Sequence, residues 1–232
     1  MSSKSHSIVF IDTSYEQAAH TANKYSGSGA PSLIRLLVFY CTVRAHDLPL
    51  RIFTSFLPPL FGQQSRKVYV DFVGPCLALL TMAGVLHYGH SYKLHSAAPE
   101  ISPTQVLLYY SVVSPVLCFV LAKVGRASLD FVEVAALLGY GLYGDLLTLV
   151  TSLLFDHEQS NLAFFVLMFI FGGLSALRIA LVLLTSIPYP AGRLLVCSTV
   201  TLMHLMFLMF VHFAYMHRTF AYGGSASSSF SH

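Results

Sequence analysis

The chain has 232 residues, of which 55% are hydrophobic and only 10% charged, with a formal net charge of +3. Soluble domains carry about 25% charged residues, and a water-soluble fold of this length has too little interior to hide so much apolar surface. The composition asks for lipid as solvent, and the lack of any basic patch interleaved with aromatics excludes a nucleic-acid-binding chain.

Residues 1–32 are polar, with Gly27, Gly29 and Pro31 near their end, and are expected to be disordered. No apolar run follows Lys4 in the manner of a signal peptide, so insertion is expected to rely on the first true span. Leu33 to Val43 is apolar but short and carries Arg35. Leu48 to Gly62 carries Arg51, Pro49, Pro58 and Pro59. Neither reaches the ~20 residues of a spanning helix. Arg44 and Arg51 share a helix face at seven residues apart. Residues 33–62 are therefore read as a membrane-surface or docking segment; the plainer alternative is a cytosolic helical hairpin packed on the bundle.

Five apolar runs follow, predicted as spans at Phe72–Tyr88, Thr104–Ala122, Phe131–Phe155, Asn161–Leu184 and Leu194–Tyr215. Pro115 is expected to kink the second. The short breaks between runs make sequential spans antiparallel neighbours. The expected fold is all-α: a polytopic bundle of five transmembrane helices over 70–216, behind a short cytosolic region, 1–69, and before a lumenal tail, 217–232. Arg66, Lys67, Lys123, Arg126 and Arg193 fall on one side of these spans, and only Lys93 and Arg218 on the other. Five against two puts the N-terminus in the cytosol, and an odd span count puts the C-terminus in the lumen.

Polar residues inside the runs are the candidates for chemistry. Glu133 starts the third run and can reach the interface, whereas Asp145 lies about 21 Å into it. An acid at that depth should face protein. His204 and His212, in the fifth run, bracket Asp145 in depth and share a face, so Asp145 is expected to hydrogen-bond one of them. Arg178, about 10 Å from the cytosolic edge, is expected to snorkel or to meet Glu133. The sharp reading is a proton relay or metal site of Asp145, His204 and His212, but three of four ligands is a weak zinc signal. The bland and preferred reading is interhelical polar glue.

Small residues collect at Gly139, Gly141 and Gly144 in the third run and at Gly172, Gly173, Ala176 and Ala180 in the fourth, where close helix packing needs them. Within-chain packing is the preferred use, and a hetero-oligomer face the alternative. Cys41, Cys76, Cys118 and Cys197 have no CxxC spacing and read as core-filling thiols, so neither a disulfide framework nor a zinc site is expected. Gly139-Tyr140-Gly141-Leu142-Tyr143-Gly144 is not a dinucleotide fingerprint, because it lies within an apolar run and not after a strand. No GxSxG or Walker motif is present. No catalytic residue, cofactor or metal is expected.

Several segments resemble the Yip domain family. Ala135 to Gly144 resembles the family's third-span signature. Asp71-Phe72-Val73-Gly74-Pro75 resembles its Asp-Leu-Tyr-Gly-Pro opening of span one, with Phe72-Val73 in place of Leu-Tyr. The segments Gly172 to Arg178, Arg193 to Cys197, His204, and His212 to Tyr215 resemble the member-three branch in particular. The resemblance covers roughly residues 40–217. It implies a five-span, N-cytosolic, C-lumenal membrane protein of the Golgi (cis side) and endoplasmic reticulum. Such a chain would pair with another Yip-family protein, of the member-four type, to maintain Golgi organisation. Its cytosolic segment would meet Rab GTPases or vesicle coat factors in vesicle-mediated transport. No catalytic residues are known in the family. Asp71, Gly74, Pro75, Gly139, Tyr140, Gly141, Gly144, Gly172, Gly173 and Arg178 are then fold and packing positions. A selective-autophagy motif would need acids beside an aromatic-x-x-aliphatic run. Tyr40-Cys41-Thr42-Val43 has that spacing, but its flanks are basic and apolar. The tail serines, Ser225 to Ser231, are candidates for O-glycosylation. Two non-scaffold alternatives remain: a small proton-coupled transporter or channel using Asp145, His204 and His212, and a lipid scramblase.

Overall fold

A computed structural model describes residues 10–11, 46–56, 67–91, 101–155 and 161–217. The tyrosine motif at 40–43, Arg44, Arg66, Lys93, Arg218 and the serine tail fall outside these residues. Phe10–Ile11 (β1) and Lys67–Val68 (β2) form a two-residue parallel ladder. The rest is helical: α1 (Leu48–Phe56), α2 (Val73–Ser91), α3 (Pro103–Val124), α4 (Phe131–Phe155), α5 (Leu162–Ser186) and α6 (Pro190–Met216).

Local chemistry sets the helix ends. Ser102 and Gln105 form a reciprocal capping box ahead of α3, with Pro103 in its first turn, satisfying two amides that the helix leaves unbonded. Glu133 turns back to accept from the Asp130 amide at 2.9 Å and so closes the start of α4. Pro115 lies buried inside α3, which continues past it. Two helices contain π turns, Met168–Gly172 in α5 and His212–Met216 at the end of α6. π turns of this kind often accompany functional or tightly packed positions.

The central helix is α4. Two-thirds of its most apolar stretch is buried inside the chain, against 28% for α3 and 39% for both α5 and α6. It packs on α1, α2, α3 and α5, while α6 closes against α5, α3 and the end of α2. The outward face of α3 carries Leu108, Tyr109, Val112, Val113, Val116 and Val120, all about half or more exposed, as a lipid-facing helix should.

Two apolar clusters fill the interior. One gathers Cys118, Ala122, Val134, Leu138, Ile179, Val182, Leu183, Val196 and Val200 at one end. The other gathers Met82, Leu86, Leu107, Leu149, Phe164, Leu208, Val211 and Tyr215 at the opposite end. Tyr110, Ser175 and His204 lie between them in chain position on three helices, and Asp145 of α4 joins them to form a polar waist.

Each of the five apolar runs is a helix, within about one turn of its expected ends. Four of them, α3, α4, α5 and α6, are long and apolar enough to cross a membrane. The fifth, α2, is a 19-residue helix packed in the same bundle, but it falls outside that class. Gly74, Pro75, Thr81, Gly84, His87, Tyr88, Gly89 and His90 dilute its apolar residues.

Candidate functional site

The first polar centre forms where α1 meets the bundle. Asp71 sits just before α2 and is fully buried. Its carboxylate accepts from Arg51 Nη1 of α1 at 2.8 Å, from the Tyr140 hydroxyl of α4 at 2.8 and 3.0 Å, and from the Gly74 amide at 3.1 Å. Three segments of the chain, α1, the entry of α2 and α4, thus converge on one side chain. A buried carboxylate costs several kcal/mol unless paired and hydrogen-bonded, and here both oxygens are engaged. The Arg51 guanidinium lies 4.9 Å over the Tyr69 ring, a favourable cation–π placement. Tyr143 donates to the Gly74 carbonyl at 2.9 Å.

Arg178 adds a second tie to the same helix. It comes from α5, is 5% exposed, and donates through Nη1 to the Thr54 carbonyl of α1. Between snorkelling and Glu133, the sequence offered no such acceptor. The arginine stays buried because the end of α1 presents a backbone carbonyl to it. Arg51, Thr54 and Ser55 therefore form the inward face of α1, while Leu50 and Phe53 face outward.

Small residues make this close packing feasible. A Cβ on Gly74 would clash with the hydroxyl end of the Tyr140 ring, and one on Gly139 would lie 2.5 Å from Pro75 Cβ. The opening of α2 and the glycine run of α4 are thus fitted to one another. On the other face of α4, Gly141 and Gly144 receive α5. The Ser175 hydroxyl donates to the Gly141 carbonyl at 2.6 Å, and a Cβ on Gly144 would lie 2.5 Å from Ser175 Cβ. Gly172 faces Leu208 of α6 and approaches Asp145, whereas Gly173 has only Met168 O near it.

The second centre is the polar waist. Tyr110 of α3 and His204 of α6 meet at 2.9 Å between the hydroxyl and Nδ1. On the far side of the ring, His204 Nε2 lies 3.3 Å from Asp145 Oδ1 of α4. His204 and Asp145 are both fully buried. A neutral imidazole protonated at Nε2 suits both contacts: Tyr110 donates to Nδ1, and the Nε2–H faces the carboxylate. The Asp145 contact is close but is not an aligned hydrogen bond. Tyr110 also stacks on Phe207 at 3.6 Å and 12°, which fixes the ring that carries the hydroxyl.

Of the two histidines bracketing Asp145, the structure brings His204 to it. His212, two turns on, stacks flat on Phe164 at 3.5 Å and 6°. A π turn begins at His212. Among the described residues no group of three or more His, Cys, Asp or Glu side chains is placed to hold a metal ion.

Two participants were missed in the sequence. Tyr110 is one tyrosine of a Tyr-Tyr pair in an apolar run and carried no signal by itself. Arg51 was read only against Arg44. The usable signal was Asp71, an acid at the edge of an apolar run that needed a cation.

Residues 45–216 match the family model of the YIPF3 C-terminal domain, a stretch that opens just before α1 and ends with α6. No solved structure matches the chain.

Proposed function

Because the chain belongs to the YIPF3 C-terminal domain family within the Yip proteins, and is a multi-pass membrane protein, we propose that it acts as a non-enzymatic scaffold of the Golgi and endoplasmic reticulum in vesicle-mediated transport. In this reading α2 crosses the membrane with the other four, which gives a cytosolic N-terminus and a lumenal C-terminus. The chain pairs with a second Yip-family protein of the member-four type. Its cytosolic segment, residues 1–69, meets Rab GTPases or coat factors.

One observation carries the reading. The buried polar side chains bridge elements of the bundle: Arg51, Asp71 and Tyr140 join α1, the start of α2 and α4, Ser175 joins α5 to α4, and Tyr110, His204 and Asp145 join α3 and α6 to α4. Polar groups used in this way hold helices in register, which suits a rigid platform. The test is affinity purification from gently solubilised membranes followed by mass spectrometry. A second Yip-domain chain with trafficking factors supports the scaffold; a solitary chain sinks it.

A second reading has the Tyr110–His204–Asp145 line in its favour: proton-coupled transport through the waist, with His212 further along the same helix. Proteoliposome flux that is lost in Asp145→Asn would support it, and flux-free vesicles would remove it.

A further inference from the structure

The end of α3 has an unusual stop. The Arg126 amide donates to the Lys123 carbonyl at 2.9 Å, and the Ala127 amide reaches back to the Ala122 carbonyl at 2.8 Å. This is a Schellman closure, whose left-handed position is usually glycine. Here Arg126 occupies it at φ 57°. The neighbouring glycine, Gly125, is used for contact instead: a Cβ there would lie 3.2 Å from Ile187 Cγ2. A left-handed arginine costs roughly 1 kcal/mol or more, so the closure holds this side chain at a conformational expense.

That closure places the guanidinium against the start of α6. Arg126 Nη1 donates to the Tyr189 hydroxyl at 3.1 Å, and its guanidinium carbon lies 5.4 Å over the same ring. Gly192 packs on Gly125, with a Cβ there only 3.6 Å from Gly125 Cα. Arg193 follows directly and donates through Nε to the Ile187 carbonyl at 2.6 Å. The Arg126 guanidinium thus lies at Tyr189 and that of Arg193 at Ile187, two residues before it, where the two helix ends abut, and Lys123 lies one turn before Arg126. Among the described residues none of the three cations is paired with a carboxylate. The nearest acids in the chain are Asp130 and Glu133, and Glu133 is engaged with the Asp130 amide. Arg126 and Lys123 are exposed, and Tyr189 is half-exposed.

We propose that this junction of α3 and α6, with Arg126 at Tyr189 and Arg193 at Ile187, binds the net-negative headgroup of an anionic phospholipid. Guanidinium forks match phosphate oxygens in pairs, tyrosine is favoured at the headgroup level, and basic pockets between spanning helices hold anionic headgroups. Each guanidinium has already committed one donor to the protein, which fixes its plane, and retains others for the ligand. The junction opens at the ends of two apolar helices, where a headgroup's own acyl chains can run down the lipid-facing side of α3.

The test is native mass spectrometry of the full chain in detergent, titrated with phosphatidylserine and, separately, phosphatidylcholine. Expected is about 25-fold preferential retention of phosphatidylserine, since two juxtamembrane cations each favour an anionic lipid by roughly fivefold. The double substitution Arg126→Gln and Arg193→Gln should abolish the preference, and Arg126→Lys with Arg193→Lys should keep most of it. Equal retention of both lipids by the unaltered chain overturns the proposal without recourse to any variant. Displacement of phosphatidylserine by millimolar inorganic phosphate overturns the lipid assignment, because a free anion would then suffice.

Discussion

Replacing Asp71 with asparagine removes a charge and almost no volume, so its effect isolates the electrostatics of the α1 clamp. The amide oxygen can still accept from Tyr140 or Gly74, but the amide nitrogen turns donors toward the Arg51 guanidinium. Breaking a buried, hydrogen-bonded ion pair costs about 3–5 kcal/mol. For a chain of this length that corresponds to a fall in Tm of about 6–20 °C. The exposed outward face of α1 lends it no support within the chain, so the loss should appear first there. Thermal unfolding of the full chain in micelles would measure the cost, and amide exchange over residues 48–56 would locate it. Arg51→Met should be destabilising as well. The pair should couple by about 2–3 kcal/mol, so the double variant loses less than the two single losses together. A cost below about 1 kcal/mol for Asp71→Asn, or additive losses with unchanged exchange in α1, would refute the clamp.

Two glycines give opposite expectations. Gly144→Ala drives a Cβ against Ser175 and the Phe171 carbonyl and should cost about 1–3 kcal/mol. Gly84→Ala enters open space on the outward face of α2 and should stabilise by about 0.5–1 kcal/mol; matched melting curves separate them. At the waist, His204→Ala leaves both the Tyr110 hydroxyl and the Asp145 carboxylate unmatched. It should lower stability by about 2–6 kcal/mol, about 1–3 kcal/mol for each group left unsatisfied, and so by more than Tyr110→Phe at about 1–3 kcal/mol; equal losses would deny His204 its bridging position. Ser102→Ala opens the capping box and should cost about 1 kcal/mol, visible as faster exchange confined to the first turn of α3.

Much of the bundle was legible because the apolar runs are long and their breaks short. Hydropathy located all five helices, and Asp145 announced itself as an acid too deep to face lipid. The member-three motifs of the Yip resemblance fall within the matched stretch. What the sequence could not yield were pairings across distant elements. Nothing in the spacing of Arg51 and Asp71 indicates that α1 folds back onto the mouth of α2. Nothing local ties Tyr110 to His204, since that contact depends on how α3 and α6 rotate about their axes. Rotation follows from packing volumes at Gly141, Gly144 and Ser175, which periodicity does not encode. The span count was the other limit: α2 has the length of a span, but glycines and histidines thin its apolar character.

The two buried acids differ in when their partners exist. Arg51 precedes Asp71, so the ribosome has already released the cation when that carboxylate emerges. Asp145 leaves the tunnel about sixty residues before His204, a wait of roughly 3–12 s at ordinary elongation rates. During that interval α4 holds an unmatched carboxylate beside lipid, where it is costly. It therefore needs either a proton or a host that shields it. Completion of this bundle is a C-terminal event: truncation anywhere before α6 should leave α4 in the hands of insertion or quality-control machinery, however complete the earlier helices are.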